Sequence, residues 1–466
     1  MDTNFSFRFL CLCFLIAACG NPKDKDYSAY FGGEVINPKD KWILFYQGEK
    51  LLDSIPLDDK NRFFIRFDSL APGLYTFKHE PEYQYVYFDK NDSLMVRINV
   101  FNFDESLVFC GRGEEKNNFL IEMYLKNQKD RNKTFSTFDL QPEEFSAKAD
   151  SSYRQILAFY ENNKKDIKWS DDFDIFAKAG ADYFYYAKKE FYPMAYKARN
   201  HNKEFPPLPE EFYDYRKKID INNEKLSNYW PYLRYITVLI DNLVSLGNPE
   251  LDLHKNAFAK LHTTDSLIKN EYLKNKVLNN IVFRYLMEDE QNATNTDVLN
   301  KYFEASTDSD KKETIKKMIT SIRNIMDGGF PEVKFRTVDR ELISSAELFN
   351  KKTVVYFWSK KNETHFFAVH EKINKIIERH PDIDFIAIGL DEDFDEWKSF
   401  LTKNKSVPHP RIQHYHVFNL AELNDKWVVT QVTRASIVGK NGKAEKAFVN
   451  IFETTFEKLL ESIPQQ

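Results

Sequence analysis

The period of the apolar residues changes twice along this 466-residue chain, and that restricts the fold more than any other feature. From Tyr30 to Phe109 apolar and aromatic residues come in short runs: WILFYQ, FFIRF, LYTFKH, EYQYVYF and SLMVRINV. Turn-forming stretches separate them (NPKD, LDDKN, APG, DKND), where Pro and Gly set backbone angles and Asn and Asp bond their own backbone. Short strands at this spacing predict a small antiparallel β-sandwich over residues 29–112. Cys110-Gly111-Arg112-Gly113 marks its end. A lone Gly-x-Gly lacks the further glycines, or the Lys-Ser/Thr, that a phosphate loop needs.

From Glu114 the period becomes helical, and residues 113–328 are expected to form an α-helical region. Phe173, Phe176, Ala177, Gly180, Phe184, Ala187 and Phe191 share one helical face, with Ser170 as a cap upstream. Ile315, Met318, Ile319, Ile322 and Ile325 repeat the pattern. Pro142 and Pro209, each before acidic residues, read as first-turn prolines. No repeat of the tetratricopeptide or HEAT kind is present, and core packing explains the aromatic stripes before any flat ligand does.

Asp327-Gly328-Gly329-Phe330-Pro331 is a breaker cluster, and residues 329–466 then alternate strand and helix. Strands are expected at Thr353–Trp358 and Ile383–Leu390, and a further one near His416. A hairpin of Ala435–Val438 and Ala444–Val449 surrounds Lys440-Asn441-Gly442. Phe366, Val369, Ile373 and Ile376 trace one helix, Asp395–Lys403 a second and Phe452–Ile463 a closing one. The whole is an α+β multidomain chain, and its length suits two to four domains. With 66 basic and 71 acidic residues, no basic field points to nucleic acid. The 41 Phe, 25 Tyr and 6 Trp supply large core area.

At the N-terminus Arg8 precedes an apolar stretch, Phe9–Ala18, too short for a permanent membrane span. It ends in Ile16-Ala17-Ala18-Cys19-Gly20, which resembles a bacterial lipobox. The resemblance implies a signal peptide over 1–18, lipidation of Cys19 and a polar tether over 19–28. A plain signal peptide or short anchor is the alternative. Removal of the leader discards Cys11 and Cys13, and acylation consumes the Cys19 thiol, leaving Cys110 as the one thiol of the mature chain. No internal disulfide can then form.

The α/β order after residue 329, with Val354-Val355-Tyr356-Phe357-Trp358 before a polar turn and Ile437-Val438-Gly439-Lys440-Asn441-Gly442-Lys443 late, resembles the thioredoxin fold of the TlpA/ResA class. Tyr83–Tyr87 and Phe103–Gly113 are similar to the N-terminal sandwich of Gram-negative lipoproteins that carry such a domain. The resemblance places the cell envelope of a Gram-negative bacterium as the compartment: the outer membrane, on its periplasmic face or, given Lys23-Asp24-Lys25-Asp26, at the cell surface.

The departures from that family bear on activity. Its Cys-x-x-Cys motif falls on Asn362, Glu363, Thr364 and His365, and its cis-proline on Thr433. Thiol–disulfide exchange needs an attacking and a resolving thiol, so dithiol oxidoreductase activity is not expected, nor is a cis bond at Thr433. Asn362 suits a helix N-cap and Glu363 complements the helix dipole; alternatively Asn362 and His365 line a ligand groove with Trp358 and Arg434. His414 and His416 would share a strand face as a minimal metal pair, with no third ligand specified. Cys110 reads as a strand-end hydrophobe before a reactive thiol.

No cofactor is called for. The expected function is non-catalytic: the membrane engaged through the lipid, and a peptide or protein partner bound or assembled through a redox-silent domain. The alternative is thiol–disulfide or metal-handling work at the envelope.

Overall fold

In the computed structural model, residues 27–200, 205–247 and 251–462 are described. The expected signal peptide, Cys19 and most of the tether lie outside them.

The sandwich holds β1 (Ala29–Ile36), β2 (Trp42–Gln47), β3 (Lys50–Pro56), β4 (Arg62–Phe67), β5 (Gly73–His79), β6 (Glu82–Phe88), β7 (Ser93–Asn99) and β8 (Val108–Arg112). A short helix, α1 (Phe103–Ser106), precedes β8. One sheet runs β4-β1-β7-β8 and the other β3-β2-β5-β6. The pairings are antiparallel as expected, apart from β1 and β7, which run side by side in parallel. Phe31 sits in the core, 5.4 Å from Phe77 and 5.6 Å from Phe45 between ring centres. Along β6, Val86 and Phe88 face this core, while Tyr87 turns outward onto Phe173 at 5.0 Å. The buried Asn117 amide holds Tyr87 by accepting from its N–H at 2.7 Å and donating to its carbonyl at 2.9 Å. That sheet is therefore buried on both faces at β6.

The middle region comprises α2 (Glu114–Thr134), α3 (Pro142–Ile167), α4 (Asp171–Arg199), α5 (Trp230–Gly247), α6 (Leu253–Leu267), α7 (Glu271–Glu288), α8 (Thr296–Ala305) and α9 (Ser309–Gly328). Ser170 caps α4 by accepting from the Phe173 N–H, and Pro142 opens α3. The α4 stripe is buried at Phe173, Phe176, Ala177, Gly180 and Ala187 but reaches the surface at Phe191. Pro209 precedes a 3₁₀ segment, Glu210–Lys218, instead of the α-helix its position suggested.

The last region holds β9 (Lys334–Arg336), β10 (Leu342–Ser344), β11 (Thr353–Trp358), α10 (Glu363–Ile377), β12 (Asp384–Gly389), α11 (Phe394–Lys403), β13 (Ile412–Val417), α12 (Leu420–Trp427), β14 (Arg434–Val438), β15 (Ala444–Asn450) and α13 (Phe456–Ser462). Its sheet has the order β10-β9-β13-β12-β11-β14-β15, with β11, β12 and β13 parallel. Every residue of β11 is buried, the expected state of a central strand covered on both faces. The closing helix begins at Phe456 instead of Phe452, which leaves Phe452 in a loop.

The breaker cluster does end α9. Gly329 has φ +81°, and a Cβ there would stand 2.5 Å from the Gly442 carbonyl oxygen, so only glycine fits. Phe330 N–H donates to the same carbonyl at 2.8 Å.

Candidate functional site

The site builds outward from the end of β11. Beyond Trp358 the chain turns through Ser359–Lys361, and Asp391, just past β12, holds that turn. Its carboxylate accepts from Ser359 Oγ at 2.6 Å and from Lys360 N–H at 3.1 Å. Burial pushes the Asp391 carboxyl up, and those two donors draw it part of the way back. Asn362 is the N-cap of α10, its Oδ1 accepting from the His365 N–H at 3.1 Å. Glu363 sits half-buried in the first turn and Thr364 is exposed.

His365 is 7% exposed, neither ring nitrogen has a hydrogen-bond partner, and Phe452 packs on it at 5.7 Å between ring centres. Burial lowers its pKa. One turn further along the apolar face of α10, His370 donates from Nδ1 to the Phe366 carbonyl at 2.8 Å. It stacks on His414 of β13 at 5.6 Å. Burial depresses His370 to about 4 and His414 to about 3, the charge of His365 adding to the effect on His370 and that of His370 to the effect on His414. Both rings are neutral members of an aromatic core.

The turn is also met from outside its own domain. Lys361 Nζ lies 3.3 Å from Asp40 Oδ2 in the β1–β2 loop, and Lys39 Nζ reaches the Lys361 carbonyl at 3.5 Å. The fully buried His79 fixes that loop. Its Nε2 accepts from the N–H groups of Lys39 at 3.0 Å and Asp40 at 3.3 Å, while Nδ1 donates to the Trp42 carbonyl at 3.1 Å.

Two residues expected at a groove lie elsewhere. Trp358 is fully buried against Phe366, Trp397 and Phe400, because alternation along β11 turns it into the core beneath α10. Arg434 points to the opposite face of the sheet. It donates from Nη2 to the Met287 carbonyl in the last turn of α7 at 2.9 Å and lies over the Phe448 ring. Thr433 is half-buried, its carbonyl accepts from Ile451 N–H at 3.3 Å, and its peptide bond is trans; among the described residues the cis bond is Glu80–Pro81.

His414 and His416 do share one face of β13, but they enter different packing neighbourhoods. His416 lies 5.2 Å from Trp397 and 5.3 Å from Phe394, while His414 packs on His370 and Trp358. Among the described residues the three-membered group with metal-ligand spacing is His380, Glu457 and Glu461, at the α10 C-terminal end and α13. Cys110 is exposed on β8, on the outer face of the sandwich opposite Met95, in a different domain from the turn.

Sequence reasoning missed Asp391, His79 and Asp40, whose partners are distant in the chain. His370 carried a local signal, its place four residues after Phe366 on the apolar stripe. Among the described residues no helix is long and apolar enough to cross a membrane.

A family model described as thioredoxin-like matches residues 350–444, which run from just before β11 to the start of β15. The C-terminal region is thus a thioredoxin-like domain. Among solved structures, the chain is similar to a Bacteroides vulgatus protein provisionally described as a thiol-disulfide oxidoreductase, at 15% identity and TM-score 0.26, covering 29% of this chain and 94% of that one. It is also similar to the C-terminal domain of an uncharacterised Bacteroides fragilis protein, at 12% identity and TM-score 0.24, covering 30% and 99%. A thiol:disulfide interchange protein from a Bacteroides species matches at 14% identity and TM-score 0.22, covering 25% and 77%. No curated protein matches the chain.

Proposed function

We propose that this chain is a lipid-anchored cell-envelope protein whose thioredoxin-like domain is redox-silent and serves to bind or assemble a peptide or protein partner. One observation carries the non-catalytic part: at the redox positions Asn362 caps a helix and His365 is buried without a polar partner. Neither side chain can attack a disulfide sulfur, and Cys110, without a resolving thiol beside it, sits on another domain. The lipobox at Ile16–Cys19 supports the anchor, and the exposed start of α10 at Thr364 is the surface through which the partner would engage.

The full chain should reduce insulin no faster than buffer containing dithiothreitol alone, with or without Cys110→Ser. Turnover that disappears in Cys110→Ser would replace this reading with thiol chemistry at Cys110. Metabolic labelling with palmitate should mark the chain and fail for Cys19→Ala. A photo-crosslinker at Thr364 should capture a peptide or protein that one at the exposed Asp68, just past β4 at the end of the sandwich away from the β1–β2 loop, does not. Equal capture at both positions would remove the binding role from the thioredoxin-like domain.

A further inference from the structure

A cavity of about 110 Å3 lies where the sandwich meets the helices, walled by β6, α1, α2, α4 and the start of α5. Its lining includes Tyr83, Tyr85, Tyr124, Phe184, Tyr229 and Trp230. Tyr83 and Tyr85 stand perpendicular with centres 6.2 Å apart, and Tyr229 lies 5.3 Å from Tyr85. Gly180 keeps the wall thin, since a Cβ there would come within 2.9 Å of the Tyr229 hydroxyl. Ring faces present negative electrostatic potential, and stacked or perpendicular rings around one space form a surface that attracts cations.

Two carboxylates, Glu82 and Asp104, line this space. Asp104 of α1 accepts from Gln84 Nε2 at 3.1 Å, and among the described residues it makes no salt bridge. Burial pushes its carboxyl up, hydrogen bonds from Gln84 and the Tyr124 hydroxyl draw it partly back, and the like charges of Glu82 and Glu105 push it up. A half-buried carboxylate beside two others, with hydrogen bonds but no salt bridge among the described residues, has its charge only partly compensated. Arg234 is set against the aromatic wall, its guanidinium 5.4 Å from the Trp230 ring centre, and Arg131 is near enough to act on Tyr124.

We propose that this cavity binds a protonated alkylamine, with Asp104 taking the ammonium charge and the tyrosine faces packing around its carbons. An anion would be repelled by Glu82, Asp104 and Glu105, and a neutral apolar guest would leave the Asp104 charge only partly compensated. Size narrows the class further. An engineered apolar cavity of ~150 Å3 accepts benzene, so this smaller space admits an amine of a few heavy atoms, either free or at the end of a lysine side chain. The assignment rests on the sandwich–helix junction and is independent of what the thioredoxin-like domain does.

Calorimetric titration of the full chain with n-butylammonium, Nα-acetyl-lysine methylamide and n-butanol tests it. At least one ammonium probe should bind ten-fold or more tightly than n-butanol, and Asp104→Asn, a near-isosteric change, should erase that preference. Tyr83→Leu, at a 46% exposed edge position, should weaken the same probe several-fold if Asp104→Asn proves unstable. Binding of the lysine amide marks a side chain as the source; binding of butylammonium alone marks a free amine. Equal binding of n-butanol, no binding of either ammonium probe, or a preference that survives Asp104→Asn overturns the proposal.

Discussion

The two faces of the C-terminal sheet are covered by different parts of the chain. Below α10, the residues Val354, Tyr356, Trp358, Phe385 and Ala387 pack on Phe366, Val369, Ile373, Trp397 and Leu460, all from the thioredoxin-like domain itself. On the other face Val355, Phe357, Ile386 and Ile388 belong to a core continuous with Ile319, Ile322 and Ile325 of α9, Leu286 of α7 and Trp427 of α12. Adjacent residues of one strand thus serve two different partners. One face of this domain's sheet shares its core with a region that the sequence separates from it by a glycine pair, so the stability of the two is coupled across that boundary.

The largest test of that contrast is a pair of core truncations. Ile322→Ala and Ile373→Ala both remove a fully buried side chain and should each cost about 2–5 kcal/mol. Hydrogen exchange should tell them apart. Ile322→Ala should raise exchange in α7, α9 and β15 together, whereas Ile373→Ala should act on α10 and its strands and leave α7–α9 protected. Identical maps would erase the difference between the faces.

Acidity should act on the α10 face. His370 and His414 hold folded values near 4 and 3, below the ordinary value of 6.5, because their rings are buried. Between those values the unfolded chain binds more protons than the folded one, so stability is full above pH 6.5 and declines as pH falls toward 3. His414→Phe should flatten the fall in denaturation midpoint over that window; an unchanged slope would place the titration elsewhere.

Arg434→Met tests the opposite face. It leaves the Met287 carbonyl at the α7 terminus without its donor, at a cost of about 1–3 kcal/mol, and should loosen α7 before it loosens α10. Asn362→Ala is the smallest change. Loss of the cap should cost about 1 kcal/mol, and Asn362→Ser or Asn362→Asp should restore most of it. A loss several times larger would mean that Asn362 does more than cap.

Much of this architecture was legible where a period could be read. EYQYVYF, TVVYFW and the two late hairpin runs became β6, β11, β14 and β15 almost residue for residue, and the Ile315–Ile325 stripe is the buried face of α9. The short pieces were not legible: β9 and β10 have three residues each, too few for a period, and α12 is a single eight-residue helix. At the site, local chemistry gave Asn362 as a cap because the capping bond spans only three residues. Trp358 and Arg434 went astray for one reason: alternation says that neighbours point to opposite faces but not which element covers each. Asp391, His79 and Asp40 act across 32 to 321 positions of chain, and no pattern of neighbouring residues carries that information.

The contact between Gly329 and Gly442 has a practical consequence for anyone dissecting this protein. A glycine pair after a long helix invites a cut, by protease or by primer design, as though it were a hinge. Here the peptide unit at Gly329 is wedged against another backbone, and Phe330 behind it is fastened to the same oxygen. Proteases nick exposed, poorly tied chain, and this junction offers a fixed bend. Limited digestion should therefore spare it, and a fragment begun at Phe330 would carry an unmated surface where its other half belongs.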